Sequence, residues 1–163
     1  MENKPLVSIL IVAYNPWEYL RNTLQSCVNQ SYQNTEILIL DNASSEDISV
    51  YLPTHSEDFS KIRLIKSKEN LGPYRGLNKL LDEARWDYIA IQDHDDIWHP
   101  DKIQKQVAFL ENHMEYIGCG TNTIMYYEAD GKYFEYFLDE ENFYTIHPSL
   151  IFRNNTWFRY DTN

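Results

Sequence analysis

The sequence predicts an α/β fold, a mostly parallel sheet with helices on both faces. In the first two thirds of the chain, apolar runs of strand length alternate with amphipathic helical patterns. The runs at 6–13 and 36–40 are almost continuously β-branched or aliphatic, which is typical of strands buried on both faces. Polar clusters follow three of the four runs, and the carboxyl edge of an open parallel sheet is where ligands bind.

The first unit is a strand at 6–13 followed by a helix. Asn15, Pro16 and Glu18 form a capping-box pattern, with Asn15 as the N-cap and Pro16 in the first helical position. We therefore expect the helix to begin directly after Asn15. Its apolar face is formed by Leu20, Leu24, Cys27 and Val28.

The remaining strands of this part are predicted at 36–40, 62–65 and 88–91. A turn at 70–73 precedes a second helix, whose apolar face is formed by Leu77, Leu80, Leu81 and Ala84. The third helix begins at Pro100 and Asp101 and carries Ile103, Val107 and Leu110.

The last third of the chain has a different pattern. Runs at 124–127 and 133–137 flank Asp130 and Gly131, which predicts a β-hairpin with an Asp-Gly turn. One more strand is expected at 149–153, and no helical pattern follows it.

Composition excludes several classes of function. The 163 residues carry 14 basic and 25 acidic side chains, a net charge of −11, so no nucleic-acid partner is expected, because such binding needs basic surface. The sequence has no transmembrane run and no serine-hydrolase, P-loop or dinucleotide motif. Its first residues lack a basic segment followed by a long apolar stretch, so we expect no secretory signal. Cys27 and Cys119 lack metal-type spacing, and we expect reduced thiols in a cytoplasmic protein.

The acidic segment Asp93, His94, Asp95 and Asp96 directly follows the fourth predicted strand. Three carboxylates in four residues repel one another, and a hard divalent cation such as Mn²⁺ or Mg²⁺ would offset that repulsion. Asp93 and Asp95 are the candidate metal ligands, and the cation could hold a diphosphate. The alternative is a solvated acidic loop that also caps the following helix.

Two other strand ends carry candidate ligand contacts. Asp41 ends the second strand and could accept a hydrogen bond from the N3–H of uracil or thymine, or it could act only as a turn residue. Tyr14 follows the first strand and could stack on a base or pack at the sheet edge.

The turn at 70–73 is the last candidate. Gly72 permits a tight turn there. Arg75 could reach a phosphate, or it could be a surface side chain at a helix start.

In chain order, these segments resemble the inverting glycosyltransferases of family two, which have the GT-A fold, a Rossmann-like nucleotide-diphospho-sugar transferase sheet. The resemblance covers about residues 5–155. It is carried by the segments 7–15, 24–32, 36–44, 70–72 with Asn78 downstream, and 93–102.

The resemblance implies a nucleotide-sugar donor, UDP- or dTDP-linked, and metal-assisted transfer with inversion to a hydroxyl of a glycan, lipid-linked or protein acceptor, as in polysaccharide biosynthesis. By resemblance, Asp41 would read the base, Asp93 would meet the ribose, and Asp95 would hold the metal on the diphosphate. The rest of the nucleotide-sugar site would be Ala13, Tyr14, Asn15, Asn42, Gly72, Arg75 and His94.

The chain departs from the family pattern in two places. The family often has an arginine where this chain has Leu77. Its general base is an aspartate, usually in a Glu-Asp pair beyond the last strand matched here. Glu140, Glu141 and Asp161 do not stand in that context, so no catalytic residue is assigned.

We therefore expect one GT-A domain that is truncated at its C-terminus. Residues of about 1–117 would form the donor-binding part, and 118–163 the start of an incomplete acceptor part. The alternative is a non-catalytic nucleotide-sugar-binding or scaffolding module. A nucleotidyltransferase or phosphohydrolase fits less well, because no basic loop that could cradle a triphosphate is visible.

Overall fold

The structure is a computed structural model that describes residues 4–53, 60–121, 123–127, 129, 131–136 and 151–153. Its first part consists of β1 (Val7–Ala13), α1 (Tyr19–Val28), β2 (Thr35–Asp41), a short 3₁₀ helix (Ile48–Tyr51), β3 (Ile62–Lys66), α2 (Gly72–Glu83), β4 (Tyr88–Asp93) and α3 (Lys102–Asn112). The strands that follow are β5 (Gly118–Cys119), β6 (Thr123–Tyr127), β7 (Lys132–Tyr136) and β8 (Ile151–Arg153).

Six strands form one sheet in the order β3-β2-β1-β4-β8-β5. The first four are parallel, and β8 pairs antiparallel with both β4 and β5. The mostly parallel sheet predicted from the sequence is therefore confirmed. Within the described ranges, no helix combines the length and apolar content needed to cross a bilayer.

The helices cover both faces of this sheet, as predicted. On one face, Ile9 and Ile11 of β1 belong to a core that contains the apolar sides of α1 and α3. On the other face, Leu10 of β1 packs with Leu77 and Leu80 of α2. Because β1 is buried on both faces, its apolar residues do not alternate with polar ones.

Helix α1 begins at Tyr19, so the predicted start at Pro16 with Asn15 as the N-cap is wrong. Glu18 takes the N-cap position, and its side chain makes no capping hydrogen bond. Asn15 has a φ of 47°, and its Oδ1 accepts hydrogen bonds from the backbone N and Oγ of Ser45 at 2.9 and 3.0 Å. The side chain that would cap α1 is used by the neighbouring loop instead.

The predicted hairpin is confirmed by the pairing of β6 with β7, which ends at Tyr127 and Lys132. Gly131 in its turn has a φ of 66°. Several predicted features lie outside the described residues: Asp130, Phe137, Glu140, Glu141, Ser149, Leu150 and Asp161.

Candidate functional site

The candidate site lies at the carboxyl edge of the sheet, where β1 ends between β2 and β4. Ala13 is paired with Asp41 on one side of β1, and Val12 is paired with Asp93 on the other. Two strand spacings of about 4.8 Å each place the backbones of Asp41 and Asp93 roughly 10 Å apart. The two acids, which are 52 positions apart in the sequence (93 − 41), thus meet at one edge.

The register assigns the two side chains to opposite faces of the sheet. Asp41 continues the alternation of Ile37 and Ile39, which face α1, and Asp93 continues that of Ile89 and Ile91, which face α2. The chain beyond Asp93 then turns to the α1 side of the sheet.

Helix α1 anchors this acidic loop. The Oγ1 of Thr23 lies 2.9 Å from the carbonyl oxygens of His94 and Asp96, the residues on either side of Asp95. The amide of Gln92 donates to the same Asp96 oxygen at 2.7 Å. Asp95 is exposed, so its carboxylate lies at the surface of a loop whose backbone is fixed.

The anchoring continues beyond the acidic residues, through Ser26 of α1 and Gln30 just after its end. Ser26 Oγ accepts a hydrogen bond from the Trp98 backbone at 3.1 Å. Gln30 donates to the His99 carbonyl at 2.9 Å and accepts from the Ile103 backbone at 3.0 Å. Sequence reasoning missed Thr23, Ser26 and Gln30. Their signal was two polar residues, Thr23 and Ser26, at helical spacing on the inner side of α1, followed by Gln30 two residues beyond the end of that helix.

The carboxylates of the acidic loop fit a cation whose remaining ligands come from a bound phosphate group. In the part of the chain that the structure describes, no three His, Cys, Asp or Glu side chains converge as a complete protein cage. Mg²⁺ and similar hard cations are commonly bound by one or two carboxylates together with phosphate oxygens of the substrate. Asp93 and Asp95, both exposed, supply that number. His94 is oriented by β1, since its Nδ1 lies 3.3 Å from the Val12 carbonyl oxygen.

Asp41 is 6% exposed, and its Oδ1 accepts a hydrogen bond from the Ser44 backbone at 2.9 Å. Asp41 therefore stabilises the turn after β2, and the same hydrogen bond orients its carboxylate. The Ala13 carbonyl accepts from the Asn42 backbone at 2.8 Å, and Ser44 Oγ accepts from the Asn15 backbone at 3.1 Å. The loops after β1 and β2 form one hydrogen-bonded unit.

Backbone strain is concentrated in this unit. The non-glycine residues with positive φ in the described part of the chain are Asn15 (47°), Trp17 (46°) and Ala43 (66°). Such conformations cost about 1–2 kcal/mol each for ordinary L-residues and cluster at functional sites. Trp17, which is 58% exposed, was not among the residues predicted from the sequence.

Exposed side chains surround the edge. Tyr14 is 48% exposed, so its ring is accessible from solvent. Arg75 is exposed on the first turn of α2. Leu77, which stands where the family often has an arginine, is buried against the sheet, so it belongs to the core.

A buried lysine lies behind the acidic loop and was not predicted. Lys102 is 6% exposed, and its Nζ lies 4.1 Å from the centre of the Trp98 ring. It donates to Gln106 Oε1 at 2.7 Å. Burial lowers the pKa of Lys102 to about 7, because desolvation penalises the charged amine.

Comparison with known proteins gives consistent results. The model of the family described as Glycosyl transferase family 2 matches residues 8–163. An uncharacterized glycosyltransferase of Haemophilus influenzae is 36% identical over 113 residues, which are 69% of this chain and 45% of the relative. The chain spans about half the length of the curated relatives it matches.

Two solved structures share the fold. Staphylococcus aureus TarS 1–349 in complex with UDP gives a TM-score of 0.69 at 18% identity, over 90% of this chain and 46% of that one. Mannosyltransferase PcManGT from Pyrobaculum calidifontis, in complex with GDP-Man and Mn²⁺, gives a TM-score of 0.65 at 21% identity, over 73% and 36%.

Proposed function

The chain belongs to glycosyl transferase family 2, and from that premise we propose that it binds the nucleotide-sugar donor for an inverting, metal-assisted transfer to an acceptor hydroxyl. One observation carries the proposal. Asp41 and Asp93 end the two strands that flank β1, and Asp95 follows in a loop that α1 anchors. An arrangement of carboxylates at this edge suits a ligand with a base at one end and a diphosphate at the other.

In this proposal Asp41 reads the base. Its Oδ1 is held by the Ser44 backbone, and the carboxylate then accepts the N3–H of a uracil or thymine ring. Tyr14, exposed beside it, stacks on the same ring. This chemistry favours UDP or dTDP as the carrier. The solved complexes of similar fold hold UDP in TarS and GDP-Man in PcManGT.

Asp93 and Asp95 would hold Mn²⁺ or Mg²⁺, with Asp93 also near the ribose. A cation bound there would neutralise the charge that develops on the departing diphosphate. The chain's own contribution is to fix the backbone on both sides of Asp95 through Thr23 and to present Arg75 from α2. His94 and Asn15 orient the surrounding loops.

The acceptor and the general base are not assigned to residues of this chain. Transfer by the whole protein, its acceptor and a cytoplasmic location are part of the proposal. The location is supported by two free thiols, of which Cys27 is buried. Burial raises the pKa of Cys27 to about 12, as expected for an unreactive structural thiol.

Calorimetric titration with UDP, dTDP and GDP, each with and without Mn²⁺, tests the proposal. We expect tighter binding of UDP or dTDP with Mn²⁺, and loss of the Mn²⁺ effect in Asp95→Asn. Asp87→Asn is the matched control, because this carboxylate lies at the amino edge and accepts from the Leu6 backbone at 2.8 Å. Absence of nucleotide binding, or equal behaviour of the two variants, would contradict the proposal. A product assay with the bound donor then separates an enzyme from a binding module.

A further inference from the structure

Asn42 follows the proposed base-reading residue, but its side chain is directed into the protein. It is 2% exposed. Its Nδ2 donates to Asn70 Oδ1 at 3.0 Å and lies 3.4 Å from the Gly72 carbonyl oxygen, while its Oδ1 accepts from the Leu71 backbone at 2.8 Å. Both ends of the amide are thus engaged by the loop that leads into α2.

Asn70 completes this arrangement from the other side. Its Oδ1 also accepts a hydrogen bond from the Gly72 backbone at 2.8 Å. Gly72 is the first residue of α2 and has a φ of 71°, a conformation that glycine adopts at little cost. We name the pair Asn42 and Asn70 the asparagine clasp. It fixes the point at which the chain turns into α2.

Backbone bonds connect the clasp to three strand ends. The Asn42 backbone donates to the Ala13 carbonyl at 2.8 Å, and the Ser67 backbone donates to the Asp41 carbonyl at 2.9 Å. The ends of β1, β2 and β3 and the first turn of α2 are therefore parts of one unit. That first turn carries Arg75.

We propose that Asn42 is a positioning residue, which with Asn70 keeps the first turn of α2 and its Arg75 in place relative to Asp41, so that base and diphosphate of one nucleotide are bound together. This inference rests on the proposed function. Asn42 acts through Arg75 and does not touch the nucleotide itself, which distinguishes it from the other candidate contacts.

The test separates binding of the nucleoside from binding of its phosphates. Dissociation constants for uridine and for UDP with Mn²⁺ are measured by NMR titration. The uridine constant divided by the UDP constant gives the affinity that the diphosphate contributes. Asn42→Ala lowers this ratio about tenfold, the effect of losing one or two hydrogen bonds, while the uridine constant changes less than twofold. Asn70→Ala has the same effect, and because Asn70 is exposed this variant folds even if Asn42→Ala does not.

Two controls make the result specific. Asn34→Ala removes another exposed asparagine whose amide joins two segments, through a 2.7 Å bond to the Lys4 carbonyl at the amino edge, and it leaves the ratio unchanged. In an Arg75→Ala background, Asn70→Ala causes no further loss, since the clasp acts through Arg75.

The outcomes distinguish the two proposals. If the unmodified chain binds neither uridine nor UDP, the proposed function fails. If it binds both but the clasp variants keep the wild-type ratio, or lose uridine and UDP affinity equally, the positioning role of Asn42 is overturned and the proposed function stands.

Discussion

Glu36 and Arg85 form an ion pair across the amino edge of the sheet, between β2 and the segment that leads into β4. Glu36 Oε2 accepts from Arg85 Nη2 at 2.9 Å and from Nε at 3.1 Å, and Oε1 accepts from the Arg85 backbone at 2.8 Å and from Ser8 Oγ at 2.6 Å. Glu36 is 4% exposed, whereas the Arg85 side chain is largely in solvent.

This pair predicts a loss of stability in acid. Burial alone would raise the pKa of Glu36, but the bonds from Ser8 and Arg85 hold that pKa below its usual value. The contribution to stability is therefore complete above the unfolded-state pKa and is lost as pH falls through the lower folded-state pKa. Glu36→Gln should cost about 1–2 kcal/mol at pH 7 and flatten the acid limb in urea unfolding.

The exposed pair of Arg63 and Glu83, at 2.9 Å, provides the control for that measurement. Because both partners are well exposed, Glu83→Gln should change stability by less than about 1 kcal/mol. If Glu36→Gln and Glu83→Gln change the free energy of unfolding equally, the larger contribution expected from the buried Glu36 is contradicted.

Lys102 predicts a stability that increases with pH. Burial lowers the pKa of Lys102 to about 7 in the folded chain, from an ordinary value of 10.5. Between these values the unfolded chain binds a proton that the folded chain does not, so the free energy of unfolding gains about 1.4 kcal/mol per pH unit from this group. Urea unfolding between pH 7 and 9 should show this increment relative to Lys102→Met, in which the group is absent.

Lys105→Met is the control for Lys102→Met, since Lys105 is exposed on the same helix. Its pH dependence should follow the unmodified chain over this range. A Lys102→Met variant with an unchanged slope would show that the amine is not held in the buried, deprotonated form.

At Trp17 we expect a glycine variant to be more stable than an alanine variant, the reverse of the order usual in helices. With φ at 46°, an L-residue is strained at this position and glycine is not. Trp17→Gly should therefore be more stable than Trp17→Ala by about 1 kcal/mol. At Lys105, within α3, the order should reverse, because glycine costs about 1 kcal/mol in a helix interior. Thermal unfolding of the glycine and alanine variants at Trp17 and at Lys105 measures both differences in stability. If alanine is the more stable of the two at both positions, the backbone strain at Trp17 is contradicted.

Gly76 predicts a close contact between α2 and the sheet. A Cβ at this position would lie 3.0 and 3.1 Å from the two Cγ atoms of Val12 and 3.1 Å from Leu40 Cδ2. Gly76→Ala should therefore destabilise the chain by about 1–3 kcal/mol, despite the better helix propensity of alanine. In a Val12→Ala background the added methyl group has space, so Gly76→Ala should lower the free energy of unfolding by less, as measured with urea. If the effects of Gly76→Ala and Val12→Ala simply add in the double variant, the proposed contact is contradicted.

The parts of the site that local pattern determines were predictable from the sequence. Strands buried on both faces show continuous apolar runs, and Asp41 and Asp93 were expected at the ends of two of them, as observed. The start of α1 was not predictable, because it depends on a bond between Asn15 and Ser45, 30 residues away. The burial of Lys102 depends likewise on Trp98 and on packing that no local pattern reveals.

The central place of β1 also determines when the site can form during synthesis. Its partner β4 pairs Val7 with Tyr88, so the ribosome must translate 81 more codons (88 − 7) before that ladder can close. Loop-closure entropy makes such distant pairing slow. A nascent chain that has released only β1, α1 and β2 has no Asp93 beside Val12. The ligand-binding edge can therefore be completed only after β4 has been translated.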